Sequence, residues 1–408
     1  MNAYTRKIDN IAKIFSLEDN KYNNTFRFTI CLKENINPKI LKIAIKKSLN
    51  LYPGYKVKMK DGLLWNYFEE NKKDIILEKD YKNTLSRINF KKNNDYLFKV
   101  TYNENKIKLD MYHVLTDGVG ASNFLKTILY NYLNIKHEII NVVKIDKYEI
   151  IEDEYLKCVD KKFKNSNIYK KAYLIKDKAN HLKNKTYYYV LDLKKIKNIC
   201  KSYKVSITEY ITTIYMLALY KSIYNKKSKK DISLTIPINL RNFYKVKTIT
   251  NFFTVMNVNG NLTKNKKVTF KRLLNQIHNE FQIKLTKNKI KGYLSRDVKL
   301  GTNPIYNPIP LFIKKIYMKY SLDLYRQDTT STVSNIGAVN IEEQYKKYVE
   351  NIMVEALPNK LQKAKCTICS YENNITISLN TSILNNKLEN EFNKLLAHYI
   401  GSFELVSN

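Results

Sequence analysis

Two polar residues, His113 and Asp117, stand where a predicted strand ends and a predicted helix begins. The segment 106–112 alternates in polarity as a strand does, and the amphipathic run 121–133 has helical spacing, with glycines between them. An imidazole at such a corner is a candidate general base, and a carboxylate four residues later is a candidate orienting group. The alternative interpretation is a strand-end histidine beside an unrelated Asp-Gly turn. The corner, the glycines and the following helix favour the base.

The elements that position this corner belong to a first part of the chain in which strands and helices alternate. The segment 38–51 predicts a helix that begins at a proline and has one apolar side. The segments 97–102 and 106–112 predict a hairpin that leads directly into the corner. A second hairpin is predicted within 55–70, with Asp61-Gly62 as its turn.

The last part of the chain repeats the order of hairpin, turn and helix. A hairpin over 366–378, turning at Asn373-Asn374, precedes a predicted helix at 387–400, with Ser382 in the place of His113 and no Asp-Gly after it. Between the two copies the pattern predicts strands at 186–193, 231–238, 251–258 and 332–339, and helices at 193–203, 208–224, 269–287 and 310–325. The helix at 208–224 is apolar nearly all round and should be buried. We interpret the repeat as two related halves, of which the first alone kept a catalytic corner.

Length and composition also favour two folded halves. The chain has 408 residues, which exceeds the ~250–300 residues that one hydrophobic core usually organises. A hydrophobic fraction of 44% excludes a disordered chain. The charged, weakly patterned span near 135–185 contains the predicted linker. We therefore divide the chain into an N-terminal half at 1–150, a linker at 151–185 and a C-terminal half at 186–408.

The cysteines and the apolar runs predict a cytoplasmic protein. The five cysteines are mostly isolated, and Cys366 and Cys369 lie in an alternating strand, where they should face opposite sides. No partner ligands accompany them, so neither a metal site nor a redox site is predicted. The segment 1–17 is polar and lacks the pattern of a signal peptide, and no apolar run is long enough to span a bilayer.

A net charge of +35 raises the alternative of a protein that binds nucleic acid or an anionic surface. Seven of the 72 basic residues are arginine, although recognition of phosphates and bases favours the arginine fork. The lysines are spread over the whole chain and accompany an excess of Asn, Ile and Tyr, as an AT-rich genome produces. We interpret the charge mainly as compositional bias, with a field that attracts anionic ligands.

Four stretches give the chain a resemblance to a known superfamily: YHVLTDGVGASNFL at 112–125, PINLRNFY at 237–244, NFFTVMNV at 251–258 and SNIG at 334–337. In this order and spacing they resemble the coenzyme A-dependent acyltransferases, which include chloramphenicol acetyltransferases, nonribosomal-peptide condensation domains and alcohol acetyltransferases. The bacterial alcohol acetyltransferase-like group is the most similar. The resemblance implies an α/β fold of the α+β type, with two chloramphenicol-acetyltransferase-like halves. Each half would be a mixed β-sheet flanked by helices, with an active-site channel between them.

The resemblance also implies a role for each residue of the corner. His113 would be the general base of an acyl transfer from an acyl-CoA co-substrate to an alcohol, with no metal required. Asp117 and Gly118 would support the site structurally. Asp117 would pair with Arg241 from the second half, because the arginine fork can hold a carboxylate at two points. Ser334 and Asn335 would line the tunnel and meet the oxyanion.

The sequence departs from some branches of the superfamily. Tyr112 stands where condensation domains carry a first histidine, and the D-F-G-W-G motif of the plant branch is absent, since the single tryptophan is Trp65. Chloramphenicol acetyltransferases are about half this length and build their site between subunits, whereas this chain contains both halves, which predicts a monomer. A condensation-type transferase with a carrier-protein thioester and an amine or hydroxyl acceptor stays an alternative.

Overall fold

The strands and helices follow the alternation that the sequence predicts. A computed structural model of the chain describes residues 5–17, 24–82, 84–148, 153–160, 170–180, 182–262, 268–304, 307–317 and 326–407. The strands are β1 (Thr5–Lys7), β2 (Thr25–Leu32), β3 (Val57–Lys60), β4 (Tyr67–Glu70), β5 (Leu77–Lys79), β6 (Phe98–Asn103), β7 (Lys106–Tyr112), β8 (Lys185–Asp192), β9 (Ser233–Asn239), β10 (Phe253–Asn259), β11 (Ser331–Ala338), β12 (Val349–Ala356), β13 (Ala364–Tyr371), β14 (Asn374–Thr381) and β15 (Glu404–Ser407). The α-helices are α1 (Asn10–Ser16), α2 (Pro38–Leu51), α3 (Gly118–Lys136), α4 (Glu154–Cys158), α5 (Leu193–Ser202), α6 (Ile207–Ser222), α7 (Arg241–Tyr244), α8 (Phe270–Lys284), α9 (Lys287–Thr302), α10 (Glu343–Lys346) and α11 (Lys387–Tyr399).

Within the described residues the strands form three sheets. A five-stranded sheet has the order β12-β2-β7-β6-β5, a seven-stranded sheet has the order β10-β9-β11-β13-β14-β8-β15, and a small third sheet has the order β1-β4-β3. The sheets contain both parallel and antiparallel pairs of strands. The parallel pairs are β5 with β6, β11 with β9, and β11 with β13. The predicted α/β class with mixed sheets is therefore confirmed.

One strand from the second half of the chain completes the first sheet. β12 pairs antiparallel with β2, with Ile352 opposite Ile30. Its other side contacts the larger sheet, where the Thr367 hydroxyl donates to the carbonyl of Val354 at 2.7 Å. The two large sheets are thereby joined by a strand that the sequence pattern did not reveal. The division at 150 and 185 stays a prediction.

Each large sheet has its own apolar core. The core of the five-stranded sheet includes the inner faces of α2 and α3, and that of the seven-stranded sheet includes those of α6, α8 and α11. The helix α6 begins with a capping box of Ser206 and Glu209, and its residues 209–219 are all buried, as the apolar pattern predicted. The helix α2 begins at Pro38 after the cap Asn37, again as predicted.

Some local predictions differ from the structure. β3 and β4 are joined by a six-residue loop, since Lys60 pairs with Tyr67, and not by a tight Asp-Gly turn. The last hairpin turns at Glu372 and Asn373, one residue earlier than predicted, with Glu372 at φ 48°. Helix α9 was not predicted, although Thr286 caps it. Of the helix predicted at 310–325, residues 311–317 are helical and the rest lie outside the described residues.

The predicted repeat is present as β13, β14 and α11, which follow one another as β6, β7 and α3 do. Ser382, in the place of His113, is fully buried and donates its hydroxyl to the carbonyl of Lys363 at 3.2 Å. This second corner therefore carries no candidate base. In the part of the chain that the structure describes, no helix combines the length and apolarity needed to cross a membrane.

Candidate active site

The corner at His113 is a short turn between β7 and α3. The strand ends at Tyr112, and the His113 amide donates to the carbonyl of Asn24 at 2.9 Å. Helix α3 begins at Gly118, earlier than the predicted start at residue 121, because Asp117 caps it. The carboxylate of Asp117 accepts the amides of the second and third helical residues at 3.1 and 3.2 Å.

Two glycines permit close packing of this first helical turn. A Cβ at Gly120 would lie 2.0 Å from the Thr116 hydroxyl and 2.4 Å from the carbonyl oxygen of Ile249. A Cβ at Gly118 would lie 2.8 Å from the end of the Ile336 side chain on β11. The glycines thus bring the start of α3 against segments from the second half of the chain.

Asp117 and Arg241 form the predicted contact between the halves. The arginine donates from Nη1 to Oδ2 at 2.7 Å and from Nη2 to Oδ1 at 3.2 Å. Oδ2 of Asp117 also accepts the backbone amide of Phe252 at 2.9 Å. The ion pair is buried, with side-chain exposures of 10% for Arg241 and 6% for Asp117. Together with the two helical amides, this carboxylate accepts five hydrogen bonds and none from His113.

Arg241 also holds the backbone of the loop before β10. Its Nη2 donates to the carbonyl of Thr250 at 2.7 Å, and its Nε donates to the carbonyl of Thr248 at 3.1 Å. The Thr116 hydroxyl and the Tyr55 phenol both donate to the carbonyl of Ile249. The loop 248–252 is therefore fixed against the start of α3 from both sides.

Asn251, on this loop, orients the imidazole of His113. Its amide nitrogen donates to the carbonyl of His113 at 3.0 Å and to the carboxylate of Asp9 at 3.2 Å. Because both partners are acceptors, the side-chain oxygen of Asn251 must be the atom 3.1 Å from Nδ1 of His113. Nδ1 therefore carries the proton in the neutral imidazole, and Nε2 carries the lone pair. Asp9 caps α1 by accepting the amide of Ala12 at 2.7 Å.

The surroundings of His113 keep it neutral. The rings of Phe15, Phe26 and Phe253 lie 4.5, 4.9 and 5.3 Å from the imidazole, between ring centroids. Burial among them lowers the pKa of His113, while the charge of Asp117 and the hydrogen bond with Asn251 oppose that shift. Among the described residues, Nε2 has no hydrogen-bond partner.

His113 lies on the wall of a cavity of ≈ 360 Å³ between the two large sheets. Residues of both halves line it, including Asp117, Gly118, Arg241, Ser334 and Asn335. Its apolar lining includes the three phenylalanines that surround the imidazole, together with Ile11, Ile14 and Ile336. Its other polar and charged lining includes Thr235, Asn257, Arg296, Asp297, Asp328, Thr329, Thr332, Glu355, Gln362 and Lys365. The fold thus brings all the predicted site residues to one cavity.

The two predicted oxyanion residues differ in their bonding. The hydroxyl of Ser334 has no hydrogen-bond partner among the described residues and lines the cavity. The side chain of Asn335 is engaged, since its nitrogen donates to the Thr208 hydroxyl and its oxygen accepts the amide of Gly337, both at 2.9 Å. Ser334 is therefore the better placed donor of the two.

Sequence reasoning missed the residues that orient His113. Asn251 opens the stretch NFFTVMNV, so that stretch contained the signal, although no pattern within it singles out the asparagine. Asp9 carried no signal, because its role depends on a contact across 242 positions of the chain. Burial raises the pKa of Asp9 to about 7, and the amide of Ala12 opposes that shift.

The described residues contain no cluster of His, Cys, Asp or Glu arranged to hold a metal ion. Cys366 and Cys369 are both fully buried, because β13 is covered on both faces. Burial raises the pKa of the Cys369 thiol to about 12, so this group stays protonated and unreactive.

The fold matches solved structures of acyltransferases and condensation-type domains. TRI3 trichothecene 15-O-acetyltransferase from Fusarium sporotrichioides has 9% sequence identity and a TM-score of 0.63, over 98% of this chain and 95% of that one. TRI101 from F. sporotrichioides, complexed with coenzyme A and T-2, has 8% identity and a TM-score of 0.62, over 96% and 97%. The epimerization domain from the third module of tyrocidine synthetase B has 12% identity and a TM-score of 0.59, over 98% and 96%. These likenesses establish the shared fold.

Sequence comparison supplies the family. No curated protein sequence matches the chain. The family model described as alcohol acetyltransferase matches residues 140–400, which is more than half of the chain. This span begins after the corner at His113, so the assignment is independent of the H-x-x-x-D-G motif. The chain belongs to the alcohol acetyltransferase family and is an O-acyltransferase, and it shares the fold of the trichothecene acetyltransferases and of the epimerization domain.

Proposed function

We propose that this protein transfers an acyl group, with acetyl as the first candidate, from a coenzyme A thioester to an alcohol, with His113 as the general base. The observation that carries the proposal is the state of the imidazole. Asn251 holds the proton on Nδ1, so the Nε2 lone pair is the one available in a cavity between the two halves. Family membership supports the transfer itself.

The proposed reaction needs one proton acceptor and one oxyanion donor. Nε2 of His113 takes the proton of the acceptor hydroxyl as its oxygen attacks the thioester carbonyl carbon. The tetrahedral intermediate then collapses, the carbon–sulfur bond breaks, and the imidazolium returns the proton to the thiolate. Burial lowers the pKa of His113, so the imidazole stays unprotonated at pH values below those at which an ordinary histidine becomes charged. Such a base contributes ~10²–10⁴-fold to the rate.

We assign the oxyanion to the hydroxyl of Ser334, which lines the cavity and is free to donate. Asn335 would support it indirectly, by accepting the amide of Gly337 where the register of β11 shifts. Asp117, Gly118 and Arg241 act structurally in this scheme, because the ion pair and the glycine hold the corner against the second half.

The fold, the charge and the cysteines also support proposals for the acyl donor, the oligomeric state and the location of the protein. TRI101 is complexed with coenzyme A, and its fold is shared, which supports the same co-substrate here. The net charge of +35 attracts such an anionic donor. Because one chain supplies both walls of the cavity, we propose a monomer that needs no metal. The free cysteines fit the proposed reducing cytoplasm.

A thiol-release assay with acetyl-CoA and a panel of alcohols tests the proposal. We expect release that depends on the alcohol and falls by ~10²–10⁴-fold in His113→Ala. The control His398→Ala changes an exposed histidine on α11 and should retain full activity. Melting temperatures of all three proteins should agree closely. A His113→Ala protein with more than about a tenth of the wild-type rate would falsify the assignment of the base.

The same assay separates the alternatives from the proposal. A condensation-type enzyme would accept an acyl carrier-protein thioester in preference to acetyl-CoA. A nucleic-acid binding protein would show salt-sensitive association with DNA or RNA that survives His113→Ala.

A further inference from the structure

A row of polar side chains crosses the floor of the cavity at some distance from His113. The strand register places Asn257 beside Thr235, Thr235 beside Thr332, and Thr332 beside Lys365. All four residues line the cavity. Register partners project from the same face of a sheet, so the row is continuous across β10, β9, β11 and β13.

Asp328, just before β11, extends this row. The amide of Asn257 donates to Oδ2 of Asp328 at 2.7 Å, and the hydroxyls of Thr235 and Thr329 are 2.9 Å apart. The Thr235 hydroxyl also lies 2.9 Å from the side-chain oxygen of Asn257. These bonds hold the carboxylate in place on the cavity wall.

The carboxylate of Asp328 is short of partners. Asn257 and the backbone amide of Asp328 itself are its hydrogen-bond donors, and among the side chains that the structure describes no basic group lies within ion-pair distance of it. Burial raises the pKa of this carboxyl, which the charge of Arg296 opposes. The other carboxylates on the wall have more partners: Asp117 pairs with Arg241, and Asp297 accepts from Arg296 and Thr254. Glu355 accepts from Thr186 and Asn380 and lies 3.8 Å from Nε of Arg27. A partly buried carboxylate of this kind is stabilised by a ligand that donates a hydrogen bond.

The spacing between this row and His113 suits one extended molecule. The ring of Phe253 is 5.3 Å from the imidazole, and Asn257 lies four positions farther along β10. At ~3.4 Å per residue, the distance along β10 from Phe253 to Asn257 is about 14 Å. The floor between them is apolar, formed by Val255 and Pro237. A ligand that spans the cavity would therefore need an apolar middle and two polar ends.

The row ends in opposite charges, since Asp328 lies beside Asn257 at one end and Lys365 stands on β13 at the other. Charge therefore assigns the Asp328 end to the acceptor rather than to the donor. Coenzyme A carries anionic phosphates, which an unpaired carboxylate repels. We infer that the acceptor is a bifunctional alcohol, a diol or an amino alcohol, whose far hydroxyl or ammonium group binds Asp328 while its reacting hydroxyl reaches His113. This inference rests on the proposed function and adds the class of acceptor to it.

Matched acceptor series test the inference. Thiol release from acetyl-CoA is measured with 1-alkanols, α,ω-diols and ω-amino alcohols. Each series increases in chain length, and the three series are compared at equal lengths. At the length that spans the cavity, kcat/KM of a bifunctional alcohol should exceed that of the 1-alkanol by about tenfold or more, the effect of a hydrogen bond to a charged group. The diol and amino alcohol arms distinguish a hydroxyl from an ammonium at the far end.

The isosteric variant Asp328→Asn should reduce this ratio by about tenfold. Its matched control is Asp74→Asn, which changes an exposed carboxylate and should keep the wild-type ratio. Calorimetric binding of the preferred bifunctional alcohol, without acetyl-CoA, provides a readout that needs no turnover, and it should weaken in Asp328→Asn alone.

The results distinguish failure of this inference from failure of the proposed acyl transfer on which it rests. If no alcohol releases thiol and none binds, both are overturned. If 1-alkanols are acylated as well as the bifunctional alcohols at every length, only the inference fails. A rise in the KM for acetyl-CoA in Asp328→Asn, with the acceptor ratio unchanged, would assign the row to the donor instead.

Discussion

The side-chain oxygen of Asn251 lies 3.1 Å from Nδ1 of His113, so a residue from the second half of the chain orients the candidate base. The nearby carboxylate of Asp117 has no part in this, because all of its hydrogen bonds go to Arg241 and to backbone amides. The base and the group that orients it therefore come together only when the two halves pack.

Replacing Asn251 by alanine should lower kcat and shift the pH profile. The buried Nδ1–H would lose its acceptor, which costs about 1–3 kcal/mol and corresponds to a loss of roughly 5- to 150-fold in kcat/KM. The hydrogen bond with Asn251 raises the pKa of His113, so the acid limb of the profile should move to lower pH. The control Asn198→Ala, on the exposed side of α5, should change neither. An unchanged acid limb would show that Asn251 is only structural.

Loss of Arg241 should destabilise the fold strongly. Arg241→Ala leaves the buried carboxylate of Asp117 uncompensated, which costs about 3–5 kcal/mol of the free energy of unfolding. Arg241→Lys should fall between this variant and the wild type, because one ammonium cannot replace the forked contact. Urea denaturation measures both. Lys46→Ala is the control, since its pair with Asp74 is exposed, and equal stability of Arg241→Ala and Lys46→Ala would contradict the structural role.

Gly120→Ala should disturb the start of α3. The new Cβ would lie 2.4 Å from the backbone oxygen of Ile249, which cannot move without shifting the loop that carries Asn251. We expect a loss of about 1–3 kcal/mol in the free energy of unfolding, accompanied by reduced kcat. Ser122→Ala, on the same helix, should be neutral or slightly stabilising, because alanine favours helices. If both variants unfold at the same urea concentration, the close packing at Gly120 has been misjudged.

Asp9 should make stability depend on pH in a defined window. Its pKa is about 7 in the folded protein against an ordinary value of 3.8, because burial disfavours the charged form. Between these values the folded state binds a proton that the unfolded state releases, so its contribution to stability is full below 3.8 and is lost as the pH rises towards 7. Asp9→Asn should remove this decline relative to the wild type. Parallel stability curves for the two proteins would contradict the raised pKa.

Much of the fold was predictable because its signals are local. The apolar period of 208–224, the proline before α2 and the alternation of β7 each depend on neighbouring residues, and the structure confirms all three elements. β12 was missed, although five of its eight residues are apolar, because its partner β2 is more than three hundred residues away. Neither strand records in its own pattern which strand it will pair with.

The candidate site divides in the same way. By itself the sequence determined the corner, since a strand end, an Asp cap and two glycines are written within eight residues at 113–120. Only the tertiary structure decided that Asn251 sets the tautomer of His113, and that Asp328, held by Asn257, lines the same cavity. Hydrogen-bond geometry depends on distances of about 3 Å, here between residues that lie 138 and 71 positions apart in the chain. Those distances are set by how the two sheets pack, and no local pattern contains them.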